Sequence, residues 1–171
     1  MTHPQQGSAP AGTHLLGERP VHAPVRQRRW LFAIAAGAAA VDLASKAAAS
    51  AWLPRRGVDL PGPLDLKLTH NPGVAFGVGS AVPTWLMVAL TIGVAAVLAT
   101  AAWRGRFAGT AGPGLVLGGA VANIADRLEA GTVVDMLHLG WWPTFNLADV
   151  WITVGAVFLV WGEARAGQRP G

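Results

Sequence analysis

The chain has no cysteine, which excludes disulfide staples, a thiolate nucleophile and Cys-ligated metal sites. It is also poor in charge. Its 13 basic and 9 acidic residues amount to 13% of 171, against about 25% in a typical soluble domain. Serine is scarce, at 8, 45, 50 and 80, and none lies in a nucleophile elbow. The five histidines, at 3, 14, 22, 70 and 138, form no H-E-x-x-H, so a zinc protease has no candidate and no metal or cofactor is expected. A pI near 11.1 could suggest nucleic acid, but so few charges offer no continuous basic face for phosphates.

What is present is apolar: 52% of the residues, in long runs. The composition predicts a polytopic membrane protein, and the pattern along the chain an all-α one with four transmembrane helices, a small extracytoplasmic β-sheet and outer loops. Residues 1–29 are rich in Pro, Gln, Gly and His and read as a disordered cytoplasmic tail. Arg28-Arg29 before Trp30-Leu31-Phe32 admits a twin-arginine signal, but the chain beyond it holds more membrane segments rather than a soluble domain. The transmembrane unit runs over 30–164, with crossings at about 30–53, 84–103, 114–129 and 146–163, a β segment at about 58–80, and a cytoplasmic tail at 165–171.

The basic residues set the orientation. Arg19, Arg26, Arg28, Arg29, Arg104, Arg106, Arg165 and Arg169 fall on one side, which predicts both termini in the cytoplasm. Trp30, Trp103 and Trp161 then mark the inner interface, and Trp52, Trp85, Trp141 and Trp142 the outer one; Trp151 fits neither.

Helical rise places three carboxylates at similar depth. Asp42, Asp126 and Asp149 lie about 18, 18 and 21 Å from the inner ends, below the outer surface and above the midplane of a core of about 30 Å. Ionisable groups there cost about 2.5–3.5 kcal/mol each and call for a partner or a purpose. Lys46 stands four residues after Asp42 on the same face and can neutralise it, as a structural pin or as part of the chemistry. Asp126 and Asp149 have no basic residue on their own faces. Each closes an N-x-A-D repeat, with Asn123 or Asn146 three residues earlier able to orient it or a substrate. Two such carboxylates can share a proton and act as acid and base on a peptide bond. Alternatively they satisfy helix ends, Asp149 favoured in a first turn by the dipole.

The motifs in order, D-x-x-x-K (Asp42, Lys46), N-P-G-V-A-F-G (Asn71 to Gly77), G-G-A-V-A-N-I-A-D-R (Gly118 to Arg127), V-V-D (Val133 to Asp135) and F-N-L-A-D (Phe145 to Asp149), resemble lipoprotein signal peptidase, the signal peptidase II of bacteria. The likeness covers about residues 30–162. It implies a monomeric intramembrane aspartic endopeptidase of the bacterial inner membrane. Such an enzyme removes the signal peptide of prolipoproteins just before a diacylglyceryl-modified Cys, at a site toward the extracytoplasmic face. By motif position Asp126 and Asp149 would be catalytic, and Asn71, Asn123, Arg127 and Asn146 would line the site, with Asp42 and Lys46 near it. Asp135 is expected to matter for folding rather than chemistry. Ala122 stands where the family usually has Gly, and Met136 where it usually has Phe.

Leu64, Leu66 and Leu68 alternate with polar residues, which predicts a strand that could pair with "TVVDMLHL" as a substrate cradle or a plain capping hairpin. Asn71-Pro72-Gly73 is a turn signal holding Asn71 toward the site. The competing function is a small polytopic transporter or proton pathway using intramembrane Asp and Lys, which requires ionisable groups across the full thickness. A membrane scaffold leaves the two Asn/Asp repeats unexplained.

Overall fold

A computed structural model describes residues 25–53, 55–73 and 83–168. Four helices, α1 (Val25–Trp52), α2 (Thr84–Trp103), α3 (Ala111–Ala130) and α4 (Leu147–Gly167), are joined by two strands, β1 (Asp65–Asn71) and β2 (Val133–His138). Residues 74–77 of the N-P-G-V-A-F-G motif, like the tail up to residue 24, lie outside the described residues.

The expected tail over 1–29 loses its last five residues to α1, which begins at Val25 rather than Trp30. Arginine is a good helix former, so the basic turn continues the helix beyond its apolar span. The hydropathy signal sees only that span. By length and composition α1, α2 and α4 can cross a membrane, whereas the fourth expected span, α3, is not among the helices apolar enough to do so. Its run Ala111–Ala130 is rich in Gly and Ala, which lowers its hydropathy. That same composition makes α3 the central helix, packed on α4, α1 and α2.

The reason is close approach. A Cβ on Gly118 would lie 2.5 Å from the Ala35 carbonyl of α1, and one on Gly119 2.5 Å from the Ala148 carbonyl of α4. Small residues let membrane helices touch backbone to backbone. Ala122, where the family usually has Gly, fits within this packing and is fully buried. Large apolar side chains such as Leu90, Val97, Val157 and Val160 point outward, the arrangement suited to lipid rather than water.

β1 and β2 pair antiparallel, as expected from their alternation, with Thr69 opposite Asp135 and Asn71 opposite Val133. Bridges from Val58 to Leu66 and from Leu137 to Phe145 extend the sheet at both sides. Gly131 ends α3 with φ 73°, a left-handed position that glycine adopts without cost, and turns the chain straight into β2. This turn brings β2 back against the outgoing end of α3.

Candidate active site

The polar interior is small and concentrated at one end of the bundle. Asp42, Lys46, Asn123, Asp135 and Asn146 are all buried. Groups this far from water need partners, and each has them.

Lys46 is the hub on the α1 side. Its Nζ lies 2.7 Å from Asp42 Oδ2, the expected ion pair one turn away. It also lies 2.9 Å from Asp126 Oδ2 and donates to Asn123 Oδ1 at 2.9 Å. The expectation that Asp126 has no cationic partner is therefore corrected. Lys46 comes from another helix, so the i, i+4 logic that clears Asp126's own face cannot see it. The Val134 amide also donates to Asp126 Oδ2 at 3.1 Å, so this carboxylate is held by a cation and a backbone N–H.

Asp42 has a second role. Its Oδ1 accepts from the Ala148 amide at 2.7 Å, where α1 supplies an anion to the first turn of α4. Asn146 begins that helix as an N-cap: its side chain accepts from the Asp149 amide, and the Asp149 carboxylate accepts from the Asn146 amide. The second N-x-A-D repeat is thus a capping box, with Asp in place of the usual Glu.

The asparagines do not serve their own aspartates alone. Asn123, three residues before Asp126, donates its Nδ2 to Asp149 Oδ1 at 3.1 Å. Asn146 Nδ2 is shared between Asn123 Oδ1 at 3.3 Å and Asp135 Oδ1 at 2.6 Å. Asn71 donates to Asp135 Oδ2 at 3.0 Å, and the Gly73 amide donates back to Asn71 Oδ1 at 2.8 Å, so the Asn-Pro-Gly turn holds Asn71 in place. The chain from Lys46 through Asn123 and Asn146 to Asp135 is continuous.

Asp135, expected to matter for folding, closes this network by accepting from Asn71 and Asn146. It is 2% exposed, has no cation in contact among the described residues, and its carboxyl is pushed up from 3.8 to about 6. Burial is the main cause, and the nearby charge of Asp149 adds to it. The hydrogen bonds from Asn71 and Asn146 and the charge of Lys46 oppose it. The sequence signal that could have identified Asp135 is an acidic residue within the apolar strand "TVVDMLHL".

A cavity of about 580 Å³ opens beside this network between α2 and α4. Asn71, Arg127, Thr144 and Asp149 give it polar groups, and Met87 and Val154 apolar ones. Arg127 Nη1 reaches only the Asn123 carbonyl, at 3.4 Å, and its Nε has no partner among the described residues. Among the described residues no group of three or more His, Asp or Glu could hold a metal ion.

A family model described as Signal peptidase (SPase) II matches residues 34–165. The chain belongs to this family. It is 40% identical over 154 residues to a lipoprotein signal peptidase of Rhodococcus jostii (strain RHA1), covering 84% of this chain and 77% of that one. Another, from Neisseria meningitidis serogroup C (strain 053442), is 38% identical over 146 residues, covering 79% and 88%. The fold is also that of a solved structure described as a bacterial membrane enzyme determined by the in meso method at 1.9 Å, with TM-score 0.68, 22% identity, and coverage of 84% of this chain and 96% of that one. Signal peptidase II membership makes the chain a protease with membrane helices, as the motif resemblance implies.

Proposed function

We propose that the chain is an intramembrane aspartic endopeptidase that cleaves prolipoproteins immediately before a diacylglyceryl-modified Cys, and that its acid/base pair is Asp135 and Asp149. The observation carrying the assignment is the position of Lys46. It is in contact with Asp126, while Asp135 is buried with no contacting cation among the described residues and feels the charge of Asp149. Two carboxylates that repel one another divide their labour, one protonated and one ionised.

Asp149 stands in the first turn of α4, where the dipole favours an anion, and it borders the cavity. It is the base. Asp135, whose carboxyl burial raises to about 6, supplies the acid when it carries its proton. In the first step Asp149 takes a proton from water as the hydroxyl adds to the scissile carbonyl carbon, and Asp135 gives its proton to the carbonyl oxygen. In the second, the C–N bond breaks, the proton on Asp149 passes to the leaving amine, and Asp135 recovers its own from the collapsing diol. Asn123 and Asn146 position Asp149; Asn71 and Asn146 position Asp135. Asp42 and Lys46 support this arrangement from α1, and Asp126 is a positioning residue. Arg127 faces the cavity as a donor to substrate carbonyls.

α3 is read as the fourth crossing, since 20 residues at about 1.5 Å each span about 30 Å and its neighbours shield it from lipid. Both termini are cytoplasmic and the site faces outward, following the Arg asymmetry. The network is complete within one chain, which supports a monomer embedded in membrane lipid. The transporter reading lacks the ionisable groups it needs: Trp30 to Val41, Ala111 to Ala125 and Val150 to Gly162 contain none.

The test is to incubate the purified chain with a prolipoprotein, with and without the diacylglyceryl group, and to sequence the product. Cleavage of the lipidated form alone, leaving the modified Cys as the new N-terminus, is expected. Equal cleavage of both forms contradicts the proposed specificity.

A further inference from the structure

The end of the bundle opposite the carboxylates carries a second concentration of charge that peptide cleavage does not use. We propose that this end binds phospholipids with anionic phosphodiester headgroups. The proposal rests on the reading of α1, α2 and α4 as membrane crossings.

Arg26, Arg28 and Arg29 on the first turns of α1, Arg104 and Arg106 after α2, and Arg165 near the end of α4 gather there. Among the described residues none of these six is in an ion pair. The acidic neighbour, Glu163, accepts from the Ala108 amide at 2.9 Å and so ties the α2–α3 loop to α4. Among the described residues the charge of this end is therefore left without an acidic partner.

The residue type points to phosphate. All six are arginine, whose planar fork matches two phosphate oxygens, and none is lysine. Two of them are held for the purpose: the Arg28 guanidinium carbon sits 4.1 Å from the Trp103 ring centroid, and that of Arg165 4.0 Å from Trp161. Stacking fixes the guanidinium plane while leaving its edge free to donate. Arg28 Nε is buried and has no partner among the described residues.

There is also room. Arg26, Arg29 and Trp30 border a cavity of about 590 Å³, and Arg26 and Trp30 border another of about 410 Å³ with Gln27, Gly109 and Thr110. A water takes about 30 Å³, so either space admits a phosphate and its glycerol. Trp30, Trp103 and Trp161 are each about half exposed at this level, as indoles at a headgroup boundary are. An anion arriving there would be carried by a lipid.

The test places the full chain in nanodiscs of equal phosphatidylglycerol and phosphatidylcholine with identical acyl chains, and counts retained lipids by native mass spectrometry. The expected result is a roughly fivefold excess of phosphatidylglycerol, the size of effect one interfacial arginine produces. Arg26→Gln with Arg29→Gln should reduce the excess toward parity, and Arg55→Gln with Arg56→Gln at the other end should leave it intact. Equal retention of both lipids by the unmodified chain overturns the proposal, as does an equal loss in both double variants. Displacement of the retained lipid by millimolar glycerol phosphate would assign the site to a soluble anion and overturn the lipid source.

Discussion

Lys46 Nζ lies 2.9 Å from Asp126 Oδ2 and 2.7 Å from Asp42 Oδ2, so one ammonium on α1 contacts both a carboxylate of its own helix and one of α3. This contact separates the three aspartates of α3, β2 and α4 into a paired one, Asp126, and two without a contacting cation among the described residues, Asp135 and Asp149. The proposed chemistry rests on that separation.

The hub should be costly to remove. Lys46→Met leaves two carboxylates inside the protein without their cation, and breaking a buried pair from one side costs about 3–5 kcal/mol. Unfolding in detergent, followed by tryptophan fluorescence, should register a loss of that order. A change below about 1 kcal/mol would mean that water reaches the pair and screens it.

Asp135 should make stability depend on pH in a definite direction. Its carboxyl is raised from 3.8 to about 6 on folding, so the folded protein holds this proton more tightly than the unfolded chain. The corresponding stability is present in full below about pH 4 and is lost as pH rises through about 6, amounting to roughly 3 kcal/mol. Melting temperatures between pH 4 and 7 should fall for the unmodified chain, and Asp135→Asn should flatten this component.

Helix packing gives a contrast between two glycines. Gly118→Ala would place a methyl 2.5 Å from the Ala35 carbonyl, a backbone atom that cannot move aside. Overpacking of this kind costs about 1–3 kcal/mol. Gly93→Ala meets nothing within 4 Å and gains helix propensity, about 1 kcal/mol at most. Paired melts should show the first variant less stable than the parent and the second equal to it or better.

Asn146 joins the cap of α4 to both proposed catalytic groups. Asn146→Ala removes a cap contributing about 0.5–2 kcal/mol and leaves Asp135 Oδ1 without its 2.6 Å donor. It should lower both the melting temperature and cleavage. Asn146→Ser, able to cap but too short to span to Asp135, should recover stability more than activity.

Much of this is legible in the sequence, and the exceptions have physical causes. The run Thr84–Trp103 has the bounds of α2 because 20 residues without a charge leave little ambiguity, and the alternation around Leu66 correctly anticipates pairing with β2. The Asp42–Lys46 pair is readable because both partners share one helix. Helical rise gives depth but not direction around the axis, so it places Asp126 near Asp149 without revealing that Lys46 reaches across to it. The same count passes over Asp135, which lies on a strand where helical depth has no meaning. α3 is visible as a motif but weak as a span, because the glycines that let it pack centrally also dilute its hydropathy.

The most direct test of the central claim compares Asp126→Asn, Asp135→Asn and Asp149→Asn for cleavage of a diacylglyceryl prolipoprotein, each normalised to folded protein by its melting transition. Loss of an acid or base costs about 10²–10⁴-fold, so the Asp135 and Asp149 variants should fall by at least that lower figure, with the folded Asp126 variant retaining clearly more activity than either. Substantial turnover by folded Asp135→Asn, together with abolition of cleavage in folded Asp126→Asn, would contradict the account and return the acid/base role to Asp126.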